Sequence, residues 1–66
     1  IVGNTARENG SDGFSVTSSD NNLVKRNQSF DNADWGFLVD AVLGNLFDDN
    51  TCGGNGLGGS NQPGVC

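Results

Sequence analysis

Asn27-Gln28-Ser29-Phe30-Asp31-Asn32-Ala33-Asp34-Trp35-Gly36-Phe37-Leu38-Val39 decides the fold, because its skeleton stands on both sides of it at a fixed distance. Counting back 23 residues finds Asn4, Asn9, Gly13, Phe14 and Val16; counting forward 23 finds Asn50, Asn55 and Gly59. Beyond this stretch the register continues, with Asn22 over Asn45, Leu23 over Leu46, and Val24 over Phe47. No insertion or deletion is needed. A fixed period of this length marks a solenoid, in which each repeat is one coil and adjacent coils bury a shared core.

Within one coil the apolar residues are few and paired. Gly13-Phe14-Ser15-Val16 and Gly36-Phe37-Leu38-Val39 place Phe and Val two apart, on one face of a strand, with Ser15 and Leu38 on the other. Asn22-Leu23-Val24 and Asn45-Leu46-Phe47 form a second segment, and Asn4 to Asn9 with Asn27 to Asn32 a third. Turn-forming residues such as Asn9-Gly10 and Ser18 to Asn21 separate them. The expected core is Phe14, Val16, Leu23, Phe37, Val39 and Leu46, beside a tight inward column of Ala6, Ser29 and Cys52. Residues stacked coil on coil lie about 4.8 Å apart, so side-chain amides can donate and accept up a column. Three structural ladders are therefore expected: Asn4, Asn27 and Asn50; Asn9, Asn32 and Asn55; Asn22 and Asn45. A ladder Asn27 facing the core would place the Asn27-Gln28-Ser29 sequon out of reach of a glycan.

The pattern N-x4-N-x3-G-F-x-V followed by N-L-(V/F)-x-x-N resembles the repeats of right-handed parallel β-helix proteins, the group that includes pectate lyases and NosD-like periplasmic proteins. The resemblance covers about residues 1 to 56 and implies an all-β, right-handed parallel β-helix (β-solenoid). Its coils are expected over residues 1–57, and residues 58–66 form a Gly-rich, disulfide-tied cap or tail. Such a motif specifies architecture and leaves function open, since the fold hosts lyases, hydrolases, epimerases, adhesins and structural proteins.

Composition narrows the partners. At 66 residues the chain holds a little under three coils, and a domain of this size buries only about 60% of its unfolded surface. Three Lys/Arg against eight Asp/Glu give a net charge of −5, which supplies no basic surface for nucleic acid and disfavours anionic membrane. No apolar run reaches the ~18–20 residues of a membrane span. Although the chain opens Ile1-Val2-Gly3-Asn4, like an activated trypsin-type protease, it contains no His, so a His-based triad is impossible. Ile1 aligns with Val24 and Phe47, partway through a coil, which leads us to expect further coils upstream. Cys52 and Cys66, the only cysteines, read as a disulfide within or between chains, or as free thiols. A disulfide would mean an oxidising, extracellular or periplasmic setting.

Chemistry has few places to reside. Asp12, Asp31 and Asp34 with Arg7 could mimic the acidic patches of polysaccharide-cleaving β-helices, but those sites span many coils and long loops. No catalytic residue is assigned. Glu8 and Asp31 stack like on like, and either splay into water or share a cation such as Ca²⁺; no other cofactor is implied. Lys25 over Asp48 and Arg26 over Asp49 pair opposite charges, each worth only about 0.2–1 kcal/mol. Trp35, Phe30 and Leu38, with Val42, form an expected outward apolar patch, suited to an interface or to stacking on sugar rings. The leading expectation is a structural, self-associating segment that stacks head to tail or onto upstream coils, since an exposed first coil is an open sheet edge. The alternative is a C-terminal fragment of a polysaccharide-binding or polysaccharide-cleaving protein.

Overall fold

Short runs bounded by corner residues form eight strands in the computed structural model, which describes residues 1–18, 20–40 and 43–66. They are β1 (Thr5–Arg7), β2 (Phe14–Thr17), β3 (Leu23–Lys25), β4 (Gln28–Phe30), β5 (Trp35–Asp40), β6 (Leu46–Asp48), β7 (Thr51–Gly53) and β8 (Gly58–Ser60). No helix occurs among the described residues. The strands form three short parallel sheets, β1-β4-β7, β2-β5-β8 and β3-β6. Every paired residue lies 23 positions from its partner: Thr5 against Gln28, Phe14 against Phe37, Leu23 against Leu46, Gln28 against Thr51, Trp35 against Gly58. The arrangement is all-β, parallel throughout and compatible with a β-solenoid.

Corners recur with the same period. Gly3, Arg26 and Asp49 hold φ of 69°, 52° and 56°, and Glu8, Asp31 and Gly54 hold 55°, 58° and 65°. A left-handed residue turns the chain from one sheet to the next, at a cost of about 1–2 kcal/mol where the residue carries a Cβ. Glycine stands at one member of each column, where that cost vanishes. Gly36 serves a different need: a methyl there would lie 2.6 Å from the Gly59 carbonyl oxygen and 2.7 Å from Asn55 Nδ2.

The buried apolar core is Val16, Val24, Phe37, Val39 and Val65, with Phe14, Phe47 and Cys52 packed against it. Phe14 and Phe37 stack with ring centroids 4.8 Å apart and planes 12° from parallel, so the column repeats in its side chains as well as its backbone. Between the sheets, Ser29 is fully buried and its hydroxyl donates to the Gly36 carbonyl at 2.8 Å.

Two core expectations are corrected. Leu23 and Leu46 are 46% and 67% exposed, while their neighbours Val24 (0%) and Phe47 face inward. The reason is strand parity. Lys25 and Asp48 must stay in water, where Lys25 Nζ sits 3.7 Å from Asp48 Oδ2, and in a three-residue strand this turns residues 23 and 46 outward as well. Arg26 and Asp49, expected to pair likewise, make no ion pair with each other; both are exposed residues at a left-handed corner. Parallel pairing also runs past the expected boundary at residue 57, because Gly58 to Ser60 continue the ladder of β5.

Candidate functional site: the open N-terminal coil edge

The asparagine ladders show what a complete coil-to-coil contact looks like. Asn27 Oδ1 accepts the Asn4 backbone N–H (2.9 Å) and Asn4 Nδ2 (3.3 Å), while its own Nδ2 donates to the Ile1 carbonyl (3.0 Å) and to Asn50 Oδ1 (3.1 Å). Asn32 repeats the scheme. Its Oδ1 accepts Asn9 N–H and Asn9 Nδ2 at 3.1 and 2.8 Å, and its Nδ2 donates to Asn55 Oδ1 and Ser29 Oγ at 2.9 and 3.0 Å. Asn45 Oδ1 accepts the Asn22 N–H at 2.6 Å. Each side chain thus replaces a backbone partner that the corner geometry removes, and Asn27 and Asn32 are buried without an orphaned polar atom.

At the N-terminal end the same scheme stops halfway. β1 and β2 are edge strands. Only the third position of the preceding layer is filled: Ile1 N donates to the Leu23 carbonyl (2.8 Å), Lys25 N–H to Ile1 (2.9 Å), and Gly3 N–H to Lys25 (3.1 Å). Ile1 and Val2 remain exposed. Asn4 and Asn9, which give the ladder its first rung, accept no hydrogen bond at Oδ1 from any described residue, whereas Asn27, Asn32, Asn50 and Asn55 all do. Gly10 N–H is likewise unpaired among the described residues, although Ala33 N–H and Gly56 N–H, its equivalents in later coils, donate to Asn9 and Asn32 carbonyls at 2.9 Å. This face offers strand edges and amide acceptors in the arrangement another coil would use.

The C-terminal end is closed by residues 61 to 66. Where β8 ends, Asn61 imitates a strand residue: its Oδ1 accepts Val39 N–H at 2.8 Å and its Nδ2 donates to the Val39 carbonyl at 2.9 Å. Val65, 2% exposed, joins the core, and its carbonyl accepts Asn50 Nδ2 at 3.2 Å. Cys66 is bonded to Cys52 and pins the segment. Neither Asn61 nor Val65 stands out in the sequence, because both lie where the repeat has lapsed.

Phe30 and Trp35, singled out on the surface, each lie over a glycine of the next layer. Phe30 rests on Gly53, where a methyl would lie 3.0 Å from its ring, with the Arg7 guanidinium 5.9 Å from its centroid. Trp35 rests on Gly58, 3.1 Å by the same measure, and its backbone N–H donates to Asp12 Oδ1 at 3.0 Å. Leu38 is half-buried opposite Ser15. Phe30 and Trp35 make no ring contact with each other; Val42 lies outside the described residues. Three of the acids accept hydrogen bonds from the adjacent layer: Asp12 Oδ1 from the Trp35 backbone N–H, Asp34 Oδ2 from the Ser11 hydroxyl at 3.3 Å, and Asp20 Oδ1 from Leu43 N–H at 2.9 Å. Glu8 and Asp31 are exposed corner residues, and the described residues bring together no group of three or more His, Cys, Asp or Glu.

No protein-family model, curated protein or solved structure matches the chain. The geometry of its two ends therefore carries the functional reading.

Proposed function

We propose that this chain is a structural stacking module: 23-residue coils of a right-handed parallel β-helix whose open N-terminal edge receives another coil. That coil belongs either to further chain upstream or to a second copy of this chain. One observation carries the reading. Asn4 and Asn9 hold unused amide acceptors beside the free edges of β1 and β2, while the equivalent groups of every later coil are engaged. Strand edges of this kind pair readily when left uncovered. Residues 61 to 66 lie across the other end, so a head-to-tail filament would have to accommodate or displace them. The Cys52–Cys66 disulfide supports a secreted, extracellular or periplasmic setting. A polysaccharide-contacting role for Trp35 and Phe30 has less support, because each ring already rests on a glycine of the next coil.

Light scattering with negative-stain imaging over a concentration series tests the self-stacking arm. Stacks or filaments support it, and a folded monomer at every concentration eliminates it. The upstream arm is tested by copying Asn4 to Leu23 ahead of Ile1, which extends the period without a break. A Tm rise of at least about 5 °C, the effect of roughly 1 kcal/mol in so small a domain, is expected. An unchanged Tm would sink that arm.

A further inference from the structure

We infer that Asn9-Gly10 is a site of spontaneous deamidation whenever the N-terminal edge is uncovered, and that the identical dipeptide Asn55-Gly56 is protected by the stack. The two pairs occupy equivalent positions of the repeat, two coils apart, so the chain contains its own control.

The chemistry requires the backbone nitrogen of the following residue to attack the side-chain amide carbon. Gly10 nitrogen adds to Asn9 Cγ, its proton passes to solvent base, the Cγ–Nδ2 bond breaks and ammonia leaves, closing a succinimide. Water then opens the ring. Cleavage of the Cγ–N bond gives aspartate, and cleavage at the backbone carbonyl gives isoaspartate. The sum is one water consumed and one ammonia released, with no change of oxidation state.

At Asn9 the reacting groups are accessible and little bonded. The residue is exposed, and its amide is held by Asn32 Oδ1 alone, through Nδ2 at 2.8 Å. Gly10 N–H, the attacking group, has no partner among the described residues, and a methyl built on Gly10 would meet no atom within 4 Å. At Asn55 each is blocked. Its Oδ1 accepts two hydrogen bonds from Asn32, its Nδ2 donates to the Ser29 carbonyl at 3.0 Å, and Gly56 N–H is committed to the Asn32 carbonyl at 2.9 Å. Asp12-Gly13, which can form the same ring by losing water, is blocked likewise: Gly13 N–H donates to the Trp35 carbonyl at 2.9 Å. The product matters for the ladder. A carboxylate at position 9 sets oxygen against Asn32 Oδ1 where an N–H now donates, and adds a negative charge at the open edge.

The experiment incubates the monomeric fraction, disulfide intact, in mildly alkaline buffer and follows each asparagine by tandem mass spectrometry of its peptides. Asn9 is expected to convert at least about tenfold faster than Asn55 while the fold is intact, and the two at similar rates once the chain is reduced and denatured. Gly10→Ala, which the open space tolerates, is expected to suppress conversion at position 9. Equal rates at Asn9 and Asn55 in the folded monomer, or an undiminished rate in Gly10→Ala, would overturn the inference. In an assembled fraction, slow conversion at Asn9 would add support to the stacking reading, on which this last comparison alone rests. Slow conversion in the monomer as well would overturn the deamidation site and leave the stacking reading standing.

Discussion

The first and last strand layers of the described residues are made from the same repeat and finish differently. At the N-terminal end the ladder begins with Asn4 and Asn9, whose side chains donate into the next layer and whose Oδ1 atoms accept nothing from any described residue. At the C-terminal end the repeat lapses after Asn55, and Asn61, Val65 and a disulfide close the core. A stack of parallel strand layers cannot end by simply stopping, because its last layer exposes strand edges and the apolar column together. The end that departs from the repeat is covered, and the end that keeps it is open.

The largest expected contrast within that comparison is between rungs of one ladder. Asn32→Ala removes a buried amide bonded on both sides, to Asn9 and to Asn55, at a cost of about 3 kcal/mol. In a domain this small that leaves the chain largely unfolded. Asn9→Ala, at the open edge, should cost about 1 kcal/mol or less by chemical denaturation. Equal losses would mean that the edge rung is as fully used as the interior one.

The closed end should depend on its staple. Cys52 and Cys66 lie 14 residues apart, and a loop of about that length contributes roughly 3 kcal/mol through the unfolded chain. Cys66→Ser is expected to lower stability by that order and to raise hydrogen exchange at Val39, whose N–H is held by Asn61, before exchange rises at Lys25. Uniform loss of protection would show that residues 61 to 66 are part of one cooperative unit with the coils, and no separate closure.

A smaller contrast tests the facing of β3 and β6. Val24→Ala, in a fully buried position, should cost about 2 kcal/mol, whereas Leu46→Ser, on the outer face, should stay within about 0.5 kcal/mol. A larger loss for Leu46→Ser would indicate that this face is covered in solution.

Much of the fold is legible before any coordinates, since one number, the period, sets the register of every strand pair. Columns of identical residues, such as Phe14 with Phe37 or Asn9 with Asn32, are adjacent once the offset is known, and physics then gives stacking and amide ladders. Leu23 and Leu46 show the weak point. Leu-Val and Leu-Phe are apolar pairs in which either member could face inward, and a three-residue strand is too short for alternation to decide. The deciding signal was the charged neighbour: Lys25 and Asp48 need water, which fixes residue 24 inward and residue 23 outward. The candidate site was only partly legible. An open first coil follows from the repeat, but the unpaired Gly10 N–H and the one-sided bonding of Asn9 depend on which partners are in place.

By itself, the sequence determined which residues stack, because the coil repeat is written in it without a break from Ile1 to Asn55. Only the tertiary structure decided how the stack ends. Asn61 replaces a strand residue with a side chain and Val65 fills the core from a segment of no period, so neither leaves a pattern to read. Such contacts are set by where the chain runs when the repeat no longer directs it.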